Sequence, residues 1–204
     1  MKEKIIFASK NKGKIKEVKK IFEEINFELT SLLDLNDLSE IEETGNTFEE
    51  NAKIKATEVF NKYKIPSMSD DSGLSVEQLF GAPGVYSARY AGLGANDEDN
   101  NRKLIRELEK FDEPHHARYV CYAVYYDGKK YKIANGEVKG TIIKEPRGSN
   151  GFGYDPFFVP EGYNQTMGEL SLDEKNKISH RSKAFKNLCK ILQESLWKKL
   201  LFLF

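Results

Sequence analysis

Three groups of residues in this chain have types and spacings suited to chemistry on a phosphorylated ligand. The first is Ser9-Lys10-Asn11-Lys12-Gly13-Lys14, set between an apolar run, Ile5 to Ala8, and residues at helical spacing, Ile15, Val18, Ile21, Phe22 and Ile25. A helix N-terminus offers unpaired N–H groups and the positive end of its dipole, which suits phosphate, and Ser9, Asn11 and Lys14 add side-chain donors. The segment matches neither the Gly-x-x-x-x-Gly-Lys-Ser/Thr phosphate loop nor the Gly-x-Gly-x-x-Gly dinucleotide fingerprint. Its plain alternative is a lysine-rich surface turn that opens a helix.

The second group is acidic: Glu40, Glu42 and Glu43, then Asp70-Asp71 followed by Ser72 and Gly73. Clustered carboxylates repel unless a cation or proton sits among them, and magnesium uses one or two carboxylates together with phosphate oxygens. Adjacent aspartates on a strand face opposite ways, so one can hold metal while its neighbour orients or deprotonates water. A solvated acidic loop and a helix cap are the commoner fate of such residues. Lys53 and Lys55 lie in the helix between these acids. Lys55 flanks the stripe of Ala52, Ala56, Val59, Phe60 and Tyr63 and is the better candidate to point inward.

The third group is Gly151-Phe152-Gly153-Tyr154-Asp155, with Lys175 to Arg181. Phe152 between two glycines can stack on a base, Asp155 can accept from a ring N–H, and Lys175, His180 and Arg181 supply donors. Singly, each is more often structural. Together they match what the edge of a purine requires.

The elements that must position these groups read as an alternation of strands and helices. Lys4 to Ser9 is a strand leading into the first helix, and Phe27 to Leu33 a second strand before an acidic, irregular stretch from Asp34 to Asn46. Thr47-Phe-Glu-Glu50 matches a capping box and predicts a helix to about Lys64. After Pro66, Ser67 to Ser69 reads as a short strand delivering Asp70 and Asp71 at its C-terminal end, where Gly73 turns the chain. Asp97 to Lys110 is helical, Ala117 to Tyr126 a strand, and Asp127-Gly128 a hairpin signal. Lys130 to Ile133 returns, and a further strand is expected from Gly136 to Ile143. Phe157 to Val159 is a short strand, Ser171-Leu-Asp-Glu174 a second capping box, and a final helix begins near Ser179 with Phe185, Leu188, Cys189, Leu192 and Leu196 on one face. The pattern predicts an α/β fold with a mixed β-sheet and flanking helices, one domain over residues 1–204.

Composition narrows the partners. Lys plus Arg equals Asp plus Glu at 32 each, so there is no overall basic field of the kind that dominates duplex binding, and no nucleic-acid partner is expected. With 39% hydrophobic and 12% aromatic residues in 204, the chain is expected to fold around one good core. Cys121 and Cys189 have no Cys or His at metal-ligand spacing and read as core thiols. No apolar run approaches a membrane span, and no signal peptide is evident, so no membrane partner and a cytoplasmic location are expected. The apolar end, Trp197 to Phe204, reads as a helix tail packed on the body or on a partner subunit.

Ser9-x-Asn-x-x-Lys14, Ser69-Asp-Asp-Ser-Gly-Leu74, Gly81-Ala-Pro-Gly-Val-Tyr-Ser-Ala-Arg89, Gly151-Phe-Gly-Tyr-Asp-Pro156 and Glu174-Lys175 with Ile178-Ser-His-Arg181 closely resemble the inosine triphosphate pyrophosphatase family. The likeness runs from Ile5 to about Leu192. It implies hydrolysis of non-standard purine nucleoside triphosphates (ITP, dITP, XTP) to the monophosphate and pyrophosphate, a magnesium requirement, a homodimer, and an elongated two-lobed fold with a central cleft. By the same resemblance Ser9, Lys10, Asn11, Lys12, Gly13 and Lys14 would bind the triphosphate, and Glu43 and Asp71 would hold metal. Asp71 would also be the proton acceptor, Lys55 and Ser72 would contact substrate, and Phe152, Gly153, Tyr154, Asp155, Lys175, His180 and Arg181 would form the base pocket. The family usually has Thr at the position of Ser9 and often Gly at that of Lys10. Ser keeps the hydroxyl, whereas Lys10 is expected to alter phosphate affinity. Whether Asp70 or Asp71 acts as base stays open on the sequence alone. A septum-inhibitor-type pyrophosphatase acting on pyrimidine or methylated nucleotides is the nearest rival, and a non-cleaving nucleotide sensor the alternative of another class.

Overall fold

The computed structural model describes residues 3–22 and 27–201, with residues 195–201 by backbone alone. Ile25 and the last residues of the apolar tail therefore lie outside the described residues. Strand β1 (Glu3–Phe7) leads into α1 (Lys12–Phe22), and β2 (Phe27–Ser31) precedes α2 (Phe48–Tyr63). The expected capping box opens α2: Thr47 Oγ1 accepts from Glu50 N, and the Glu50 carboxylate accepts from Thr47 N. Then follow β3 (Ser67–Val76), 3₁₀ turns at Glu77–Leu79 and Gly84–Arg89, α3 (Asp97–Leu108), and the long strands β4 (His115–Tyr126) and β5 (Tyr131–Ile142). A 3₁₀ turn (Asp155–Phe157), β6 (Phe158–Pro160), α4 (Leu172–Ile178) and α5 (His180–Leu201) complete the chain. Ser171 and Glu174 form the second expected capping box at the start of α4.

The strands form one six-stranded sheet in the order β2-β1-β3-β4-β5-β6. β1 pairs in parallel with β2 and with β3, while β6 runs antiparallel to β5, so the sheet is mixed as expected. Two expectations were too short. β3 does not end at Ser69 but continues through Asp70, Asp71, Ser72 and Gly73 to Val76. Acids and glycine are poor strand formers in isolation, but here the backbone is committed to the sheet and the carboxylates meet cations. β5 is likewise one strand across Asn135-Gly136 rather than two.

The chain divides into two compact units. One comprises Met1–Asp71, Cys121–Gly136 and Arg181–Phe204; the other comprises Ser72–Val120 and Glu137–His180. In the first, Ile15, Val18 and Phe22 of α1 and Phe185, Leu188 and Leu192 of α5 pack with Ile5, Phe7 and Met68. Phe185 meets Phe7 and Phe22 edge-on at 5.7 and 6.2 Å between ring centres. Each such buried ring stabilises the unit by about 1.5–3 kcal/mol. Cys121 and Cys189 are buried free thiols of this core, as expected. The second unit packs Leu74, Val76, Leu104, Leu108, Tyr119, Phe158 and Met167 together. Among the described residues no helix is long and apolar enough to cross a membrane.

Candidate functional site

The strand period of two decides where the paired aspartates point. Ser67 and Ser69 donate through Oγ to the α2 carbonyls of Ala56 and Ala52, at 2.6 and 2.5 Å, so Asp71, next on that face, also meets α2. There Asn51 Nδ2 donates to Asp71 Oδ2 at 3.1 Å, and Lys55 Nζ stands 3.5 Å from Asp71 Oδ1 and 2.8 Å from Glu43 Oε1. Asn51 and Lys55 are one turn apart on the buried face of α2. Lys55 is thus the inward lysine, while Lys53 pairs with Glu49 at 2.6 Å. Of the three glutamates in the acidic stretch only Glu43 is half-buried; Glu40 and Glu42 are exposed.

Asp70 faces the other way. Lys14 Nζ lies 3.0 Å and Arg181 Nε 3.3 Å from its Oδ2, and Arg181 Nη1 reaches Glu17 Oε2 at 2.5 Å. Arg181, Asp70 and Glu17 are each at most 2% exposed. Burial alone would raise Asp70, but Lys14, Arg181 and Lys55 outweigh it and hold its carboxyl below the usual range. For Asp71 burial prevails over Lys55 and Lys14, with Glu43 acting in the same sense, and its carboxyl is pushed up. Lys55 loses to burial but gains more from Asp71, Glu43 and Asp70, and stays a cation. Neighbouring carboxyls pushed in opposite directions are suited to different tasks, one a fixed anion and the other able to take a proton.

The Ser9–Lys14 segment forms the N-terminus of α1. Asn11 caps it, its Oδ1 accepting from Lys14 N at 3.0 Å and its carbonyl from Ile15 N at 3.0 Å, and Asn11 N donates to Ser9 Oγ at 3.2 Å. The first turn of α1 carries no acid, leaving Lys12, Gly13 and Lys14 with a positive helix end suited to an anion. Lys10 is engaged differently from the phosphate role expected of it. Its ammonium donates to the carbonyls of Leu38 and Ser39 at 3.2 and 3.0 Å. From the α2 side, Lys62 and Tyr63 both reach Asp37 Oδ2, at 2.8 and 2.7 Å, so the stretch that leads to Glu43 is tied down on both sides.

In the second unit the Gly151–Asp155 segment closes on itself. Asp155 Oδ2 accepts from Phe152 N at 2.9 Å and from Lys175 Nζ at 2.6 Å, and that ammonium lies 4.9 Å from the centre of the Phe152 ring. Gly151 is at φ 81°, and a Cβ there would stand 2.1 Å from Asp155 Oδ2, so both backbone conformation and space require glycine. His180 is buried and stacks on Tyr119 at 4.7 Å. Tyr154 is 4% exposed, with its hydroxyl donating to the Ser87 carbonyl at 2.8 Å, which makes it a core residue of the loop rather than a free recognition group. Ser72 is half-buried in β3. The structure therefore gathers Phe152, Asp155 and Lys175 in one place, and Lys14, Arg181, Asp70, Asp71, Lys55 and Glu43 in another. Arg181, expected in the base pocket, bonds with Glu17 and Asp70.

Sequence reasoning passed over Asn51 and Glu17. Asn51 also accepts from Gly45 N through Oδ1 at 2.8 Å, so it joins the Glu43 stretch to Asp71. Each had a signal: a polar residue on an otherwise small or apolar helix face, four before Lys55 and three after Lys14.

Residues 5–191 match the model of the Ham1 family. The chain belongs to this family. A dITP/XTP pyrophosphatase of Bacillus licheniformis is 50% identical over 96% of this chain and 100% of its own length, and one from Aquifex aeolicus is 48% identical over 93% and 96%. Among solved structures, the Staphylococcus aureus Ham1 protein superposes with a TM-score of 0.84 at 38% identity, covering 95% of this chain and 100% of that one. For this Ham1-family chain the metal question turns on Glu43 and Asp71. Among the described residues no group of three His, Cys, Asp or Glu side chains is placed to hold a metal ion. Two carboxylates do converge on a single cation, the Lys55 ammonium. That fits magnesium, which takes its remaining ligands from water and phosphate.

Proposed function

We propose that this chain hydrolyses the non-standard purine nucleoside triphosphates ITP, dITP and XTP to the nucleoside monophosphate and pyrophosphate, clearing them from the nucleotide pool. The observation that carries this is the division of adjacent aspartates between two sets of cations beside a helix N-terminus free of acids, a charge layout made for a polyphosphate. The naming of close relatives as dITP/XTP pyrophosphatases supports the choice of reaction.

Water attacks the α-phosphorus, its proton passes to Asp71, and the bond to the bridging oxygen breaks, releasing pyrophosphate. The family resemblance makes Asp71 the acceptor, and Asp70 is the poorer one because Lys14 and Arg181 hold it as an anion. The N-terminus of α1, with Ser9, Asn11, Lys12, Gly13 and Lys14, binds the triphosphate, and Lys14 and Lys55 offset charge on the leaving group. Glu43 and Asp71 would hold magnesium, which when bound neutralises phosphate charge. Ser72 contacts substrate from β3.

The base lies on Phe152, within the loop closed by Asp155. Hypoxanthine and xanthine present O6 as an acceptor, which the Lys175 ammonium can satisfy; adenine presents an amino donor there and confronts a cation. Sites of this kind discriminate by as much as roughly 10⁴-fold. Guanine shares O6, so its rejection comes from the 2-amino position. His180, buried and stacked on Tyr119, completes the base pocket. The likeness to the family carries the homodimer, which light scattering tests, and the balance of 32 basic against 32 acidic residues disfavours a nucleic-acid partner.

Pyrophosphate release from ITP, dITP, XTP, GTP, ATP and dCTP, with and without magnesium, tests the function. ITP, dITP and XTP should lead and depend on the metal. Comparable turnover of ATP and ITP at equal concentration overturns the assignment, and preference for dCTP favours the pyrimidine rival.

A further inference from the structure

Asp155 and Lys175 hold the recognition loop at Phe152 N, but its Gly153 side has little of its own to fix it. Phe152 sits between Gly151 at φ 81° and Gly153 at φ 62°, and a Cβ on Gly153 would meet nothing within 4 Å. Glycines on both sides widen the range of backbone conformations open to the loop. Beside it lies a cavity of about 370 Å³ lined in part by Ser149, Asn150, Gly151, Phe152 and Asn101, so close packing does not pin that side.

Two side chains of α3 meet the loop at one residue. Asp97 Oδ2 accepts from Gly153 N at 2.7 Å, and Asn101 Nδ2 donates to Gly153 O at 3.0 Å. They are four residues apart, hence on one helix face, and together they fix the peptides on both sides of the Gly153 Cα. Asn101 is 8% exposed, and its Oδ1 is buried with no hydrogen-bond partner, so the amide is oriented by its bond to Gly153. A buried acceptor left unmet is unfavourable. Its presence here is accounted for by the one donor bond it makes to the loop. The helix cap is separate: Asn96 and Asp99 form it, and neither Asp97 nor Asn101 is needed for it.

We propose that Asp97 and Asn101 are positioning residues for purine recognition, clamping Gly153 from both sides so that the Phe152 ring is presented in a single orientation. This rests on Gly151–Asp155 being the base pocket, as assigned above. The clamp lowers KM for the base-bearing substrate and sharpens selectivity, without touching the reacting phosphate. Preorganised binding loops act in this way, by removing the ordering cost from the binding step.

The test is hydrogen exchange across residues 149–155 together with steady-state kinetics on ITP and ATP, for Asp97→Ala, Asn101→Ala and the conservative Asp97→Asn. In Asp97→Ala exchange at Gly153, which loses its acceptor, should rise about tenfold; in Asn101→Ala, where Gly153 N keeps Asp97, exchange should rise across residues 152–155 as the loop loosens; KM for ITP should rise about tenfold in both. kcat should change less than KM. Asp97→Asn still offers an acceptor oxygen to Gly153 N, so it should stay near wild type in both readouts. Because Asp97 lies outside the cap, its variants keep the helix even where Asn101→Ala loses stability. Unchanged exchange in both alanine variants overturns the clamp; faster exchange with an unchanged KM overturns its role in recognition. Phe152→Ala separates these from the pocket assignment itself. If it retains the wild-type KM and the preference for ITP, the base does not bind at this loop, and the exchange data then report a structural clamp only, which overturns the proposal.

Discussion

Replacing Asp71 by Asn exchanges one carboxylate oxygen for an amide and leaves shape nearly unchanged, so its effects on folding and on turnover can be separated. Lys55 keeps Glu43 at 2.8 Å, and Asn51 can still donate to the side-chain oxygen at position 71. The one new conflict is an amide NH₂ turned toward the Lys55 ammonium, now 3.5 Å from Asp71 Oδ1, and its cost is about 1 kcal/mol. The loss of the proton acceptor is larger, about 10²–10⁴-fold in kcat. Asp70→Asn should behave in the opposite way. Arg181 is 2% exposed, and neutralising Asp70 leaves its guanidinium with Glu17 at 2.5 Å but takes away the anion at 3.3 Å. Breaking such a buried pair costs about 3–5 kcal/mol. At roughly 2–4 °C per kcal/mol for a chain of this size, Tm should fall by about 6–20 °C. Pyrophosphate release from ITP at saturating magnesium, in a single-turnover format, and thermal unfolding followed by circular dichroism measure the two quantities. An Asp71→Asn protein turning over within tenfold of wild type, or an Asp70→Asn protein that melts as wild type does, refutes the division of roles.

Other expectations follow from the same contacts. Because Asp70 is held below its ordinary value of 3.8, its contribution to stability is present above that pH and is lost as pH falls toward its lowered folded value. The urea midpoint of wild type should therefore drop below about pH 4, and that of Asp70→Asn should drop less. Asp71, raised from 3.8, has the opposite sign: its stabilisation is complete below that value and is lost as pH rises through the folded one, so Asp71→Asn should gain relative to wild type on going to neutral pH. Tyr154→Phe removes the bond to the Ser87 carbonyl and should cost about 0.5–1.5 kcal/mol in urea unfolding with KM for ITP unchanged. Chelation of divalent metal should abolish pyrophosphate release, and added magnesium should restore it; activity persisting in excess chelator would remove Glu43 and Asp71 from a metal role.

Much of the framework was readable because its signals are local. Thr47 with Glu50, and Ser171 with Glu174, mark helix starts through bonds made within four residues, and both formed as expected. The errors lie where long-range contacts prevail over local preference. Asp70, Asp71 and Gly73 looked like the end of a strand, yet the strand continues because Lys14, Lys55 and Arg181, brought from distant positions in the chain, neutralise the acids. Residue types in the candidate site were legible for the same reason that partners were not. That Lys175 is a useful cation can be read from its surroundings in sequence, but that Arg181 meets Glu17, or Lys10 the Leu38 carbonyl, depends on the folded chain.

The placement of Asp70 and Asp71 in mid-strand sets what kinds of change this chain can survive. Their two environments lie on opposite faces of β3, and the strand's alternation alone sends each carboxylate to its own cations. One residue inserted between Pro66 and Asp70, with the downstream chain drawn along, would carry Asp70 into the place of Asp71 beside Asn51 and Lys55, and Asp71 into that of Ser72, about 7 Å beyond the place where Lys14 and Arg181 meet a carboxylate. Every residue type of the site would still be present, in order, with Lys14 and Arg181 left without their aspartate. Drift by substitution can thus be gradual along this segment, whereas a change in its length is all or nothing.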